Sequence, residues 1–143
     1  MIENSLTASL LALGSWLTRV GGRLMAPLGL TQQESVILIA VAETGPVSQK
    51  DLRSDLLLER SNVSKAVIHL EAMGLLTAAP GASDARVVLV TPTPAGHDLA
   101  DQCLRVYQQW NRDWLSGIDE RRLTDTLALL DEVRRRDPQQ PLR

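Results

Sequence analysis

A chain of 143 residues that is 44% apolar, only 3% aromatic and free of Phe must build its core from Leu, Val, Ile and Ala, which favours helices. The single cysteine, Cys103, excludes an internal disulfide and fits a reducing compartment. The net charge of −2 is awkward for a nucleic-acid reader, yet thirteen of the fifteen basic residues are Arg, so their placement matters more than their sum.

The opening "MIENSLTASLLALG" has no positive n-region, and the longest apolar run, Val36 to Ala42, has seven residues. Neither a secretory signal nor a membrane span is expected, and the expected location is the cytoplasm. From Leu6 the apolar residues fall at Leu6, Leu10, Leu13, Leu17, Val20 and Leu24, the alternating four-and-three spacing of a heptad seam. Pro27 and Gly29 stop this helix. "TQQE", Thr31 to Glu34, is a capping box, and the helix it opens is apolar all round from Val36 to Ala42. Gly45-Pro46 closes it.

"SQKD", Ser48 to Asp51, repeats the cap and begins a helix of about two turns marked by Leu52, Leu56 and Leu57. A break near Leu58-Glu59 follows. The next helix has an inner stripe of Val63, Ala66, Val67, Leu70 and Met73, and ends at Gly74. Its start carries Ser61, Asn62, Ser64 and Lys65 and no acid among them. "LLTAAPGASDARVVLVTPT" reads as a hairpin, with strands near Leu75 to Ala79 and Arg86 to Thr91 around a Pro-Gly-Ala-Ser turn. "TPAG", Thr93 to Gly96, caps a long helix with Leu99, Ala100, Cys103, Tyr107, Trp110 and Trp114 on one face. Gly117 closes it, and Asp119 caps a last helix bearing Leu123, Leu127, Leu130 and Val133. The end, "RRRDPQQPLR", is polar and is expected to fray.

Two short helices with a tight break, followed by a hairpin, make a winged helix-turn-helix, whose second helix enters the DNA major groove N-terminus first. Short Ser and Asn side chains allow close approach and can bond phosphates or base edges. Lys65 and the helix N-terminus attract phosphate. The expected fold is therefore mainly α with a small β-hairpin wing. Residues 31–92 form the winged helix-turn-helix DNA-binding domain, and residues 1–30 and 93–143 a flanking helical dimerisation region.

The segments "LTQQESVILIAVAETGPVSQKDL", "RSNVSKAVIHLEAMGLL" and "SDARVVLVTPTPAG", with the flanking helices, resemble the MarR family of transcriptional regulators over nearly the whole chain. By that resemblance the "SDAR" loop is the wing tip, Arg86 enters the minor groove and Asp84 orients it. The chain departs from the family pattern in three places. Leu57 stands where a turn glycine is frequent, Arg53 where a small residue packs, and Ala78 and Ala79 where Arg is common. Residues 48 to 90 hold five basic and five acidic side chains, so the reading head is neutral in sum, with modest affinity and a shallow salt dependence expected.

The expected DNA contacts are Ser48, Gln49, Arg60, Ser61, Asn62, Ser64, Lys65, His69, Asp84 and Arg86. Two heads on a two-fold axis would read an inverted repeat of double-stranded DNA with half-sites about one turn (~10 bp) apart. The resemblance also implies a homodimer and a small-molecule effector, often an anionic aromatic, with Trp16, Arg19, Arg23, Ser35, Ile39, Trp110 and Trp114 as candidates to hold it. Each of these has a plainer reading, as core or as solvated face. Cys103 reads as a buried structural thiol rather than an oxidant sensor, and His97 as a helix-start residue. Arg134 to Arg136 suit a helix C-terminus. No cofactor or metal site is expected, and no phosphate loop or nucleophile motif points to an enzyme. The expected function is a dimeric, sequence-specific DNA-binding transcriptional regulator, a repressor released by its effector. The rival is a dimeric winged-helix interaction module with weak or lost DNA binding.

Overall fold

After α1, which starts at the second residue without a side-chain cap, each α-helix but one begins where the sequence supplies a cap. In the computed structural model, which describes residues 1–136, helix α1 (Ile2–Met25) runs into a single 3-10 turn (Ala26–Leu28), and Gly29 ends that turn in the left-handed region at φ 75°. Helix α2 (Gln32–Thr44) opens on the full capping box. The Glu34 N–H donates to Thr31 Oγ1 at 3.1 Å, and the Thr31 N–H to Glu34 Oε2 at 3.0 Å. Helix α3 (Gln49–Leu56) is capped by Ser48, whose Oγ accepts from the Asp51 N–H at 3.0 Å. Helix α4 (Arg60–Ala72) is the exception, with Glu59 at its N-cap and no side-chain bond there.

A three-stranded antiparallel sheet follows the order β1-β3-β2, with β1 Val47–Ser48, β2 Leu76–Pro80 and β3 Val88–Pro92. Val90 lies opposite Val47 on one side and Ala78 on the other. The expected hairpin is present, shifted by about a residue, but the third strand was not foreseen. Two residues carry no readable periodicity, and only the pairing with β3 makes Val47 and Ser48 a strand.

Helix α5 (Pro94–Trp114) starts against the turn after α4. Thr93 Oγ1 accepts from the Gly96 N–H at 3.0 Å and donates to the Gly74 carbonyl at 2.7 Å. A Cβ on Gly96 would lie 2.0 Å from the Leu75 carbonyl oxygen, so only glycine fits there. The turn itself uses Gly74 at φ 74°.

The contacts divide the chain into two units, residues 1–109 and 110–143. The core of the first is a single cluster in which Ile37, Leu38, Val41, Val63 and Leu70 are wholly buried, along with Met25 and Cys103. Side chains of this kind each contribute about 1.5–3 kcal/mol when removed from water. The all-round apolar character of α2 matches its place, with both α1 and α4 packed on it. In the second unit, Gly117 turns the chain at φ 81° and helix α6 (Glu120–Arg134) begins with the Asp119 carboxylate accepting from the Arg121 N–H at 2.8 Å. Arg136 bonds Glu132 at 2.7 Å beyond the end of α6. The rest of the tail expected to fray lies outside the described residues. Among those residues no single helix is long and apolar enough to cross a membrane; α1 with its 3-10 turn and α2 reach that composition only together, across a 75° bend.

Candidate nucleic-acid interface

The break between α3 and α4 is made by Leu57, in the left-handed region at φ 53° and largely exposed. It stands where a turn glycine is frequent in the family the sequence resembles, and a branched side chain there stores about 1–2 kcal/mol. The Leu57 and Leu58 N–H groups both bond to the Arg53 carbonyl, which closes α3 and aims α4.

Helix α4 buries Val63, Ala66, Val67 and Leu70 and exposes Ser61, Asn62 and Lys65, with Ser64 half-buried. Two expectations need correction. Met73 is 40% exposed and lies beyond Ala72, so the inner stripe ends at Leu70. The helix start is also less free of acid than it looked, because the N-cap is Glu59; the first turn proper holds none.

The wing tip carries Arg86 with 93% of its side chain exposed. Asp84 Oδ1 accepts from the Arg86 backbone N–H at 2.9 Å and from Nε at 3.4 Å. That carboxylate fixes the loop and leaves the guanidinium tip free to reach outward.

Ser48, Gln49, Lys50, Arg53, Arg60 and Arg86, from the starts of α3 and α4 and from the wing, line one cleft of about 300 Å³. Four cations share this cleft with no acid in its lining. Glu71 is occupied elsewhere, accepting from the Ala78 N–H at 2.7 Å, and Asp84 is turned to Arg86. Charge counting gave a neutral head; the fold separates the signs, and the cleft is basic. Arg53, which departs from the small residue expected there, lines it.

A second recess, about 320 Å³, is lined by Thr31, Gln33, Glu34, Asn62, Lys65, Ala66 and His69. Here His69 Nδ1 meets Glu34 Oε1 at 2.5 Å, while the other oxygen of Glu34 holds the Thr31 N–H. His69, expected as an outward-facing contact, ties α4 to the start of α2 and keeps half its side chain exposed. Two residues 35 positions apart give no local signal of such a bond.

The candidate effector residues of the first unit occupy different settings. Ser35 is wholly buried, its Oγ 2.6 Å from the Gln32 carbonyl oxygen and hydrogen-bonded to the Tyr107 hydroxyl at 2.7 Å. Burial pushes the Tyr107 hydroxyl above its usual range, with the Ser35 bond opposing. Ile39 packs partly buried against the core. On α1, Trp16 is half-buried and Arg19 and Arg23 are exposed. An open groove of about 720 Å³ runs beside them, lined by Thr18, Gly22, Leu30, Thr31, Gln32, Gln33 and Leu58, none of which was a candidate. In the second unit Trp110 and Trp114 stack with ring centroids 4.9 Å apart. Cys103 is buried, and desolvation raises its thiol pKa, as a structural thiol requires. Among the described residues no three His, Cys, Asp or Glu side chains gather to hold a metal ion.

A model of the MarR family matches residues 28–87. Curated protein sequences give no match. Three solved structures share the fold. CouR from Rhodococcus jostii RHA1, bound to p-coumaroyl-CoA, is 20% identical, with 96% of each chain covered and a TM-score of 0.83. A MarR-family transcriptional regulator from Rhodococcus sp. RHA1 is 18% identical over 94% of this chain and 95% of its own, with a TM-score of 0.83. A protein from Listeria monocytogenes complexed with a 26mer DNA is 23% identical over 89% of this chain and 87% of its own, with a TM-score of 0.80. Residues 28–87 thus match the MarR family model, and over nearly its whole length the chain shares the fold of solved MarR-family regulators.

Proposed function

We propose that this protein is a homodimeric, sequence-specific DNA-binding repressor that a small anionic aromatic molecule releases from its operator. The observation that carries the reading is the basic cleft: the starts of α3 and α4 and the wing bring Lys50, Arg53, Arg60 and Arg86 together without an acid. In this reading α4 enters the major groove with Ser61, Asn62, Ser64 and Lys65 at the base edges and phosphates. Ser48, Gln49 and Arg60 meet the backbone, and Arg86, steadied by Asp84, reaches the minor groove. His69 acts chiefly by holding α4 on α2. Two protomers read an inverted repeat with half-sites about 10 bp apart.

Dimerisation is supported by the seam of α1, where Leu6, Leu10, Leu13 and Leu17 are 37–46% exposed in the single chain. The groove beside Thr18 and Gly22 is the proposed seat of the effector, with Arg19 or Arg23 pairing to its carboxylate. A ligand there would favour a dimer whose heads no longer match the half-site spacing. The ability of CouR, of the same fold, to bind p-coumaroyl-CoA supports an aromatic acid or its thioester.

Fluorescence anisotropy with the duplex upstream of the protein's own gene tests the proposal. Saturable binding of two protomers per duplex is expected, weakened by a phenolic acid. A chain that binds no duplex better than random DNA would be the dimeric interaction module instead.

A further inference from the structure

We infer that Ile68 is a specificity-determining residue that reads the 5-methyl group of a thymine. This rests on the DNA-binding reading above and extends it to a residue for which the sequence gave no role. Ile68 is 65% exposed in the middle of α4, a large apolar side chain with nothing in the first unit to cover it. It lies seven residues after Ser61, four after Ser64 and three after Lys65, so all four share the face opposite the buried Val63, Val67 and Leu70. Single exposed apolar residues are common on protein surfaces. Ile68 differs in standing in the row that the helix presents outward beside the basic cleft.

The chemistry selects the contact. The donors and acceptors of a major-groove base edge would be left unpaired by an isoleucine at a cost. The thymine methyl is the one alkyl group there, and it projects further into the groove than the C5–H of cytosine. The neighbours divide the remaining work: Ser61 and Ser64 can exchange hydrogen bonds, and Lys65 can meet a phosphate. The His69–Glu34 bond, adjacent in sequence, fixes the rotation of α4 on α2 and so holds Ile68 in its outward setting.

The experiment begins with an operator selected by the purified full chain from a pool of random duplexes. Each thymine is then replaced in turn by deoxyuridine, which removes the methyl and keeps every hydrogen-bonding group. Wild-type protein is expected to lose about fourfold in affinity at one thymine per half-site, the effect of one methyl group left in water. Ile68→Ala, which removes the contact from both half-sites, should lose about the square of that factor, ~16-fold, on the intact operator and become indifferent to deoxyuridine at those positions alone. Its thermal melt should stay close to wild type, since the side chain is largely exposed. Wild-type affinity unchanged at every thymine overturns the inference, as does an unaltered deoxyuridine profile in Ile68→Ala. A pool that yields no bound duplex fails at the first step and removes the DNA-binding reading as well.

Discussion

The middle of the chain and its terminal helices use the same apolar residues to opposite ends. Between α2 and β3, Ile37, Leu38, Val41, Val63, Leu70 and Val90 are wholly buried within one protomer. On α1 the leucines from Leu6 to Leu17 stay at least 37% exposed, and on α6 Leu127 is 62% exposed and Val133 40%. The helical periods are equally regular in both regions. What differs is that the middle folds back on itself through short turns, so each stripe finds a facing surface. The terminal helices have stripes longer than the surface a single copy offers. The stripes of the middle are thus closed within one copy and those of the ends are left open, the division of labour that the proposed reading head and assembly surface require.

The contrast can be broken most forcefully from the core side. Leu38→Ala should destabilise the protomer by about 2–5 kcal/mol in urea unfolding, the cost of a cavity where nothing can relax inward. A mild effect would mean that the head is held by the assembly rather than by its own core. From the other side, Leu13→Glu with Leu17→Glu should leave the far-UV circular dichroism unchanged while abolishing the dimer. Sedimentation should then give a particle near the 15.7 kDa of one chain, and retention of the dimer would move the interface off the α1 seam. Arg86→Ala, on the wing, should leave the melting temperature unchanged and weaken operator binding by about 1–3 kcal/mol.

Two smaller effects sharpen the same picture. Leu57→Gly should raise stability by about 1 kcal/mol by relieving the left-handed turn. A fall instead would show that the exposed leucine is covered in the assembled protein. Alkaline titration should give the smallest change. Burial raises the Cys103 thiol above its ordinary value of 9.0 in the folded chain, so the folded state holds its proton more tightly than the unfolded. The corresponding stability is fully present below that value and declines as pH rises through the folded pKa. Cys103→Ala should flatten that alkaline decline.

Local chemistry made much of this molecule legible before any coordinates. Thr31 with Glu34, Ser48, Thr93 and Asp119 announce four helix starts because a cap acts within three residues. Gly29, Gly74 and Gly117 mark turns because only glycine adopts their backbone without cost. The buried stripe of α4 follows from a period of 3.6. Three features were hidden because they join distant parts of the chain: the strand Val47–Ser48, the His69–Glu34 bond and the basic cleft. A two-residue strand exists only by pairing, and a hydrogen bond across 35 positions leaves no periodic trace.

By itself, then, the sequence determined where helices begin, which faces are apolar and which residues stand at the start of α4, since each depends on neighbours along the chain. Only the tertiary structure decided how the charges of the head are sorted, which stripes are closed by one copy, and that Ile68 stands uncovered among polar neighbours. Charge, exposure and complementarity are properties of a surface, and a surface is made by residues that the chain keeps far apart until it folds.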